Sequence, residues 1–257
     1  MSMKKCIVII FHLILFSNNL FAQNDTSTVI FFNEIKQYNL STIFKSDSLL
    51  TEANETVKLK REEILGFIGN NYQRFYIHFT TVKKNSKIPY QYLVKGKTKI
   101  NNIIHTFNGT ITLTNARVYK NKEVANYTQG FTHSKIVITT FQNKAKTGKI
   151  IGNLETNFLI DKMGIIRYDA LMFAADGFCN NQFIGTFKNI TTKNIEKCNW
   201  GEFRIPDCGD LDIGAGEFTI NSKYIKHGWE SYYLAWLTNS IEPAALKTKY
   251  KEAEKWW

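Results

Sequence analysis

The stretch YLVKGKTKI, residues 92–100, decides the fold. Tyr92, Val94, Gly96, Thr98 and Ile100 make one mostly apolar face, while Lys95, Lys97 and Lys99 stand on the other. Alternation with period two marks a strand with one buried face and one wet face. The stretch IIGNLETNFLI, 150–160, repeats it: Ile150, Gly152, Leu154, Thr156, Phe158 and Ile160 oppose Asn153, Glu155 and Asn157. Further out, segments near 73–82, 107–118, 131–141, 164–173, 182–188 and 199–205 are rich in β-branched and aromatic residues and read as strands. Short turns such as Asp161-Lys162-Met163-Gly164 join them. A mainly β fold follows, an antiparallel barrel of about eight strands, with a β-sandwich as the alternative.

Four glycines favour the barrel. Gly96, Gly109, Gly152 and Gly185 fall mid-strand on the face that carries the bulky residues. Glycine gives up packing there, so it marks a sharp bend or room for a neighbouring ring. Tyr92, Phe107, Phe158, Phe183 and Phe187 are the candidate lining of any cavity inside. The ends differ from the middle. Residues 24–70 show no sustained alternation, with a short helix expected near 56–65. Glu242-Pro243 opens a C-terminal helix over about 242–256, since proline suits a first turn. Its Leu246, Tyr250, Ala253 and Trp257 share one face, expected to dock on the chain's own domain; contact with a membrane surface is the alternative. Residues 23–257 read as one domain with a strand core over about 73–218.

The first 22 residues carry an address. Lys4 and Lys5 precede a short apolar run, Cys6 to Phe16, and a polar segment ends at Ala22. That is the layout of a secretory signal peptide, too short to span a bilayer. Cys6 is at the wrong end of the run for a lipid anchor, so a soluble periplasmic or extracellular protein is expected. Cleavage leaves 31 basic against 22 acidic residues. The positive balance favours acidic partners such as envelope glycans or lipid headgroups. The lysines are scattered without a nucleic-acid motif, so nucleic acid is not an expected partner. Three cysteines remain, Cys179, Cys198 and Cys208. In an oxidising compartment they allow one disulfide; Cys179–Cys198 is favoured across an expected hairpin, with Cys198–Cys208 competing.

The stretch GDLDIGAGEF, 209–218, is the densest cluster of carboxylates. Asp210, Asp212 and Glu217 are candidate calcium ligands, and calcium is the one cofactor the sequence suggests. The EF-hand spacing fails, because position five is glycine and the closing acid comes too early. As a catalytic pair they lack a partner group or a reaction motif. The expected reading is a corner shaped by Gly209, Gly214 and Gly216. No zinc-protease spacing and no nucleophile elbow occurs, so no catalytic residue is assigned.

GFIGNNYQRFYIHF (66–79) and CNWGEFRIPDCGDLDIGAGEF (198–218) resemble secreted Bacteroidota proteins that carry no assigned activity. With FNGTITL (107–113) and FIGTFKN (183–189), the strand pattern also resembles calycin-like barrels, the group of lipocalins and avidins. That resemblance implies a barrel; Phe187 stands where those barrels commonly have tryptophan. The expected function is a non-catalytic binding module for a small apolar ligand or an envelope component. A structural protein at an acidic envelope surface is the second reading, and a hydrolase using Asp210, Asp212 and Glu217 the third.

Overall fold

A computed structural model of the chain describes residues 27–45, 48–51, 54–61, 63–122, 124–236 and 243–257. The expected signal peptide, 1–22, lies outside the described residues. The chain begins with β1 (Thr28–Ile30), α1 (Phe32–Ile35), α2 (Ser41–Phe44), β2 (Ser48–Thr51) and β3 (Asn54–Lys60). Then come β4 (Leu65–Ile68), β5 (Gln73–Lys84), β6 (Gln91–Ile100), β7 (Ile103–Tyr119), β8 (Thr128–Gln142) and β9 (Ala145–Ile160). The rest is β10 (Ile166–Tyr168), β11 (Asn180–Asn189), β12 (Ile195–Glu202), α3 (Glu230–Trp236) and α4 (Pro243–Ala253).

Eight strands hydrogen-bond into a closed antiparallel ring. Each of β4 to β9 pairs with the next, β9 pairs with β11, β11 with β12, and β12 returns to β4. Closure leaves the ring without a free edge, which separates it from the sandwich alternative. Two hairpins show why the sequence turns where it does. Ile100 pairs with Ile103 and Gln142 with Ala145, so each loop has two residues. Asn101, Asn102, Asn143 and Lys144 all have positive φ, as a type I′ turn demands and as asparagine tolerates.

One end of the ring is plugged. Ile35, Leu40, Ile43 and Phe44 from α1, α2 and their junction are buried there, and Phe32 stacks on Tyr90 at 4.4 Å. Tyr92 ties the plug down, its hydroxyl accepting from the Leu40 amide at 3.1 Å. The Ile43 carbonyl accepts from Arg61 and Asn181, both at 3.1 Å. Arg61 pairs with buried Glu202, whose carboxylate also accepts from Tyr168 at 2.7 Å and Asn181 at 2.9 Å. Charge buried in this way is tolerated only because each group has a partner. Burial and the Glu202 charge push the Tyr168 hydroxyl well above its usual pKa, so it remains a donor.

The interior is filled by rings set against glycines. Phe183 stacks on Trp200 with centroids 3.6 Å apart and covers Gly152 and Gly185, which face each other across the β9–β11 ladder. Phe107 covers Gly96 in the same way, while Gly109 admits the β8 backbone. The mid-strand glycines are therefore slots for neighbours.

Four expectations need correction. The segment 164–173 supplies only β10, which pairs with the end of β9 outside the ring. The eighth ring strand is β4, whose four residues are all buried and too short for alternation to show. In place of the helix expected near 56–65 stand β3 and the start of β4. The C-terminal helix forms, but Leu246 and Tyr250 of its apolar stripe are 44% and 75% exposed. Ala245 and Glu252 face inward instead, because Arg74 grips Glu252 with two bonds of 3.1 and 2.6 Å. Arg74 also lies over the rings of Tyr76, Trp229 and Tyr232, so the anchor is ionic and aromatic. Trp257 does dock, stacked on His78 at 3.8 Å.

The fourth correction concerns the cysteines: all three thiols are free. Asn180 pairs with Glu202 and Gly185 with Cys198, so Cys179 sits beyond the far end of the ladder. Cys198 is then roughly 16 Å away at about 3.3 Å per residue, beyond the ~7 Å that a disulfide spans. Cys198 packs into the ring core and Cys208 into a separate cluster with Leu65, Phe67 and Trp229, which parts the competing pair as well.

Candidate functional site

The end of the ring opposite the plug is open. There the chain reverses at the Asn101-Asn102 and Asn143-Lys144 turns, and the strand ends enclose a cavity of about 380 Å³. Its volume falls in the range of small-molecule pockets. Ile68, Phe75, Ile100, Ile103, Ile150 and Phe187 give it apolar walls. Thr98, Thr140, Thr147, His105, Gln73, Asn71, Asn101, Asn189 and Glu196 supply the polar groups. Period-two alternation explains the mixture. Phe75, Thr98, Thr140 and Ile150 are inward residues near the ends of their strands, where the interior meets solvent.

Several of these polar groups have internal partners. The Thr140 and Thr147 hydroxyls bond to each other at 2.9 Å. The Asn189 side chain accepts from the Thr191 and Thr192 amides at 2.8 and 3.0 Å, which holds the β11–β12 turn. Among the described residues lining the cavity, His105 and Glu196 carry the acid–base side chains. Burial lowers the His105 pKa below its usual 6.5, so the ring is neutral at pH 7 and offers one donor and one acceptor. The chemistry of the cavity suits an apolar body seated against Ile100, Ile103 and Phe187 with a hydrogen-bonding head near His105.

Of the five expected lining residues, Phe187 reaches this mouth. Tyr92, Phe107, Phe158 and Phe183 are 0–3% exposed and form the packed core. Sequence reading missed His105, Thr98, Thr140 and Thr147. Their signal is positional: each is within a few residues of a two-residue asparagine turn.

The acidic stretch lies elsewhere and forms a corner. Asp212 accepts from Arg204 at 2.9 and 2.6 Å through one oxygen, and from the Gly214 and Thr219 amides at 2.9 and 3.0 Å through the other. Arg204 continues to the Gly214 and Gly216 carbonyls at 2.8 and 2.9 Å. Asp210 instead pairs with Lys223 and accepts from Tyr224 at 2.7 Å; these two bonds lower its pKa. Glu217 is exposed, and no group of three such side chains able to hold a metal occurs among the described residues. Gly209 has φ +56°, whereas Gly214 is required for close approach, since a Cβ there would strike the Glu217 carbonyl oxygen.

Comparison with protein-family models, curated proteins and solved structures finds no match. No helix among the described residues is long and apolar enough to cross a membrane.

Proposed function

We propose that the chain is an exported, non-catalytic binding protein that takes a small amphiphile into the mouth of its strand ring. One observation carries the reading: the ring is plugged at one end and opens at the other into a 380 Å³ cavity with apolar walls and a polar rim. A floor of fixed rings and a rim of hydroxyl, amide and imidazole groups beside the Glu196 carboxylate favour a ligand with an apolar body and a polar head that donates hydrogen bonds. Export rests on the amino-terminal pattern of Lys4, Lys5 and the apolar run to Phe16.

The test is titration with the neutral fluorescent amphiphile N-phenyl-1-naphthylamine. Thr147 is half-buried at the mouth, so Thr147→Trp fills the cavity without entering the packed core. Its cost is one hydroxyl bond, about 1 kcal/mol. The wild type should enhance probe emission saturably, and the variant should weaken binding at least ten-fold. Equal binding by the two proteins, or none by the wild type, would refute the reading.

A further inference from the structure

A second cavity, larger than the mouth, lies on the outside of the ring. It measures about 660 Å³ and runs between the end of β3, the outer face of β5 and the helices α3 and α4. Six basic side chains line it against three acidic ones. Two of the six are already engaged: Arg61 is locked to Glu202 and Arg74 to Glu252. The net excess is therefore carried by lysines, Lys45, Lys60, Lys249 and Lys255, opposed by Glu63. Two indoles complete the walls. Trp236 is 49% exposed with the Lys249 ammonium 5.0 Å from its ring centre, and Trp257 is held flat against His78.

These parts select among anions. Phosphate groups are best held by the planar fork of a guanidinium, and both guanidinium groups here are spent on internal carboxylates. What remains is a set of separate point charges beside flat apolar faces. That combination matches a ligand whose negative charges are spaced along it, one per ring, and whose rings have an apolar side. We propose that this lateral cleft binds an acidic oligosaccharide built of carboxylate-bearing sugar rings, independently of the mouth. The indoles stack on the sugar faces, and the lysines meet the carboxylates. Because Lys45, Lys60 and Lys255 are exposed, binding is salt-sensitive.

The test is calorimetric titration of the full chain with trigalacturonate and with its methyl ester, with tryptophan emission recorded in parallel. The acid form should bind and shift the emission, and Trp236→Phe should reduce that shift. Affinity should fall several-fold as salt rises from low to near-molar, and the neutral ester should not bind. A Lys249→Gln/Lys255→Gln variant, with Lys249 half-buried on α4 and Lys255 exposed just beyond it, should lose at least ten-fold in affinity with an unchanged Tm. Thr147→Trp should leave this binding intact, which separates it from the mouth. The proposal is overturned by equal binding of acid and ester, by an unchanged double lysine variant, by absence of binding to the acid form, or by tighter binding of a single-stranded oligonucleotide.

Discussion

Gly148 and Phe187 offer a direct test of the packing that shapes the mouth. Gly148 on β9 pairs with Thr140 on β8 and Asn189 on β11, and the Phe187 ring lies over it. A methyl group at 148 would fall closer to that ring than carbon–carbon contact allows, so the ring must retreat by about 1 Å or more. Overpacking of this kind costs about 1–3 kcal/mol. Stiffening of the unfolded chain by alanine offsets about 0.4–1 kcal/mol of that. The net expectation for Gly148→Ala is a loss of about 1.5 kcal/mol. Phe187→Ala removes a half-buried ring and should cost about 2 kcal/mol, below the range for a fully buried phenylalanine. Once the ring is gone, the nearest atom left to the new methyl is Thr140 Oγ1 at 3.0 Å. Gly148→Ala should then be close to neutral, giving a coupling near 1.5 kcal/mol. Urea unfolding of the four proteins of the cycle, followed by tryptophan emission, measures it. Additive losses, agreeing within about 0.5 kcal/mol, would refute the ring-over-glycine account.

Three further expectations can be checked on the same material. Asp212→Ala strips Arg204 and two amides of their acceptor and should cost about 2–3 kcal/mol, whereas Asp210→Asn, at an exposed pair, should leave Tm nearly unchanged; calcium should raise the Tm of neither, and a calcium-dependent rise would contradict the corner. For Glu252, burial raises the carboxyl pKa, but the Arg74 charge, the Arg74 bonds and the Ser231 hydroxyl outweigh it and hold it below 4.5. A depressed carboxyl contributes stability above its unfolded pKa and loses it as pH falls through the folded value. Hydrogen exchange should therefore show α4 loosening below about pH 4.5, and Glu252→Gln should flatten that dependence; a pH-independent wild type would contradict it. Mass spectrometry after thiol labelling of the folded protein should find Cys179 modified first, because it is half exposed while burial pushes the Cys198 thiol far up; a disulfide-linked peptide would contradict the geometry.

Legibility in the sequence followed strand length and solvent exposure. β6 and β9 are long and one-sided, so the alternation of Lys95, Lys97 and Lys99 or of Asn153, Glu155 and Asn157 revealed them. β4 is buried on both faces, since Leu65 and Phe67 pack under Trp229 while Ile68 faces the ring core, and a short apolar run carries no period. In α4 the apolar stripe misled because a single long-range ion pair, Arg74 with Glu252, outranked Leu246 and Tyr250; nothing local to the helix records its partner. The disulfide expectation failed for a related reason. Cys179 and Cys198 flank a hairpin in sequence, but the ladder register places them at different heights. Three of the four mid-strand glycines, Gly96, Gly152 and Gly185, announced rings, yet could not tell a filled interior from a hollow one. That depends on Phe183 and Trp200 meeting from different strands. The mouth was least legible, since its residues are terminal positions drawn from all eight ring strands.

The central claim, that the open end of the ring is the binding site, is tested most directly by NMR on the methyl-labelled full chain with bound N-phenyl-1-naphthylamine. Intermolecular contacts should run from the naphthyl ring to the methyl groups of Ile100, Ile103 and Thr147, all of which line the mouth. Contacts confined to Leu234 and Leu246 on the helices, or none to the mouth methyls at saturation, would contradict it.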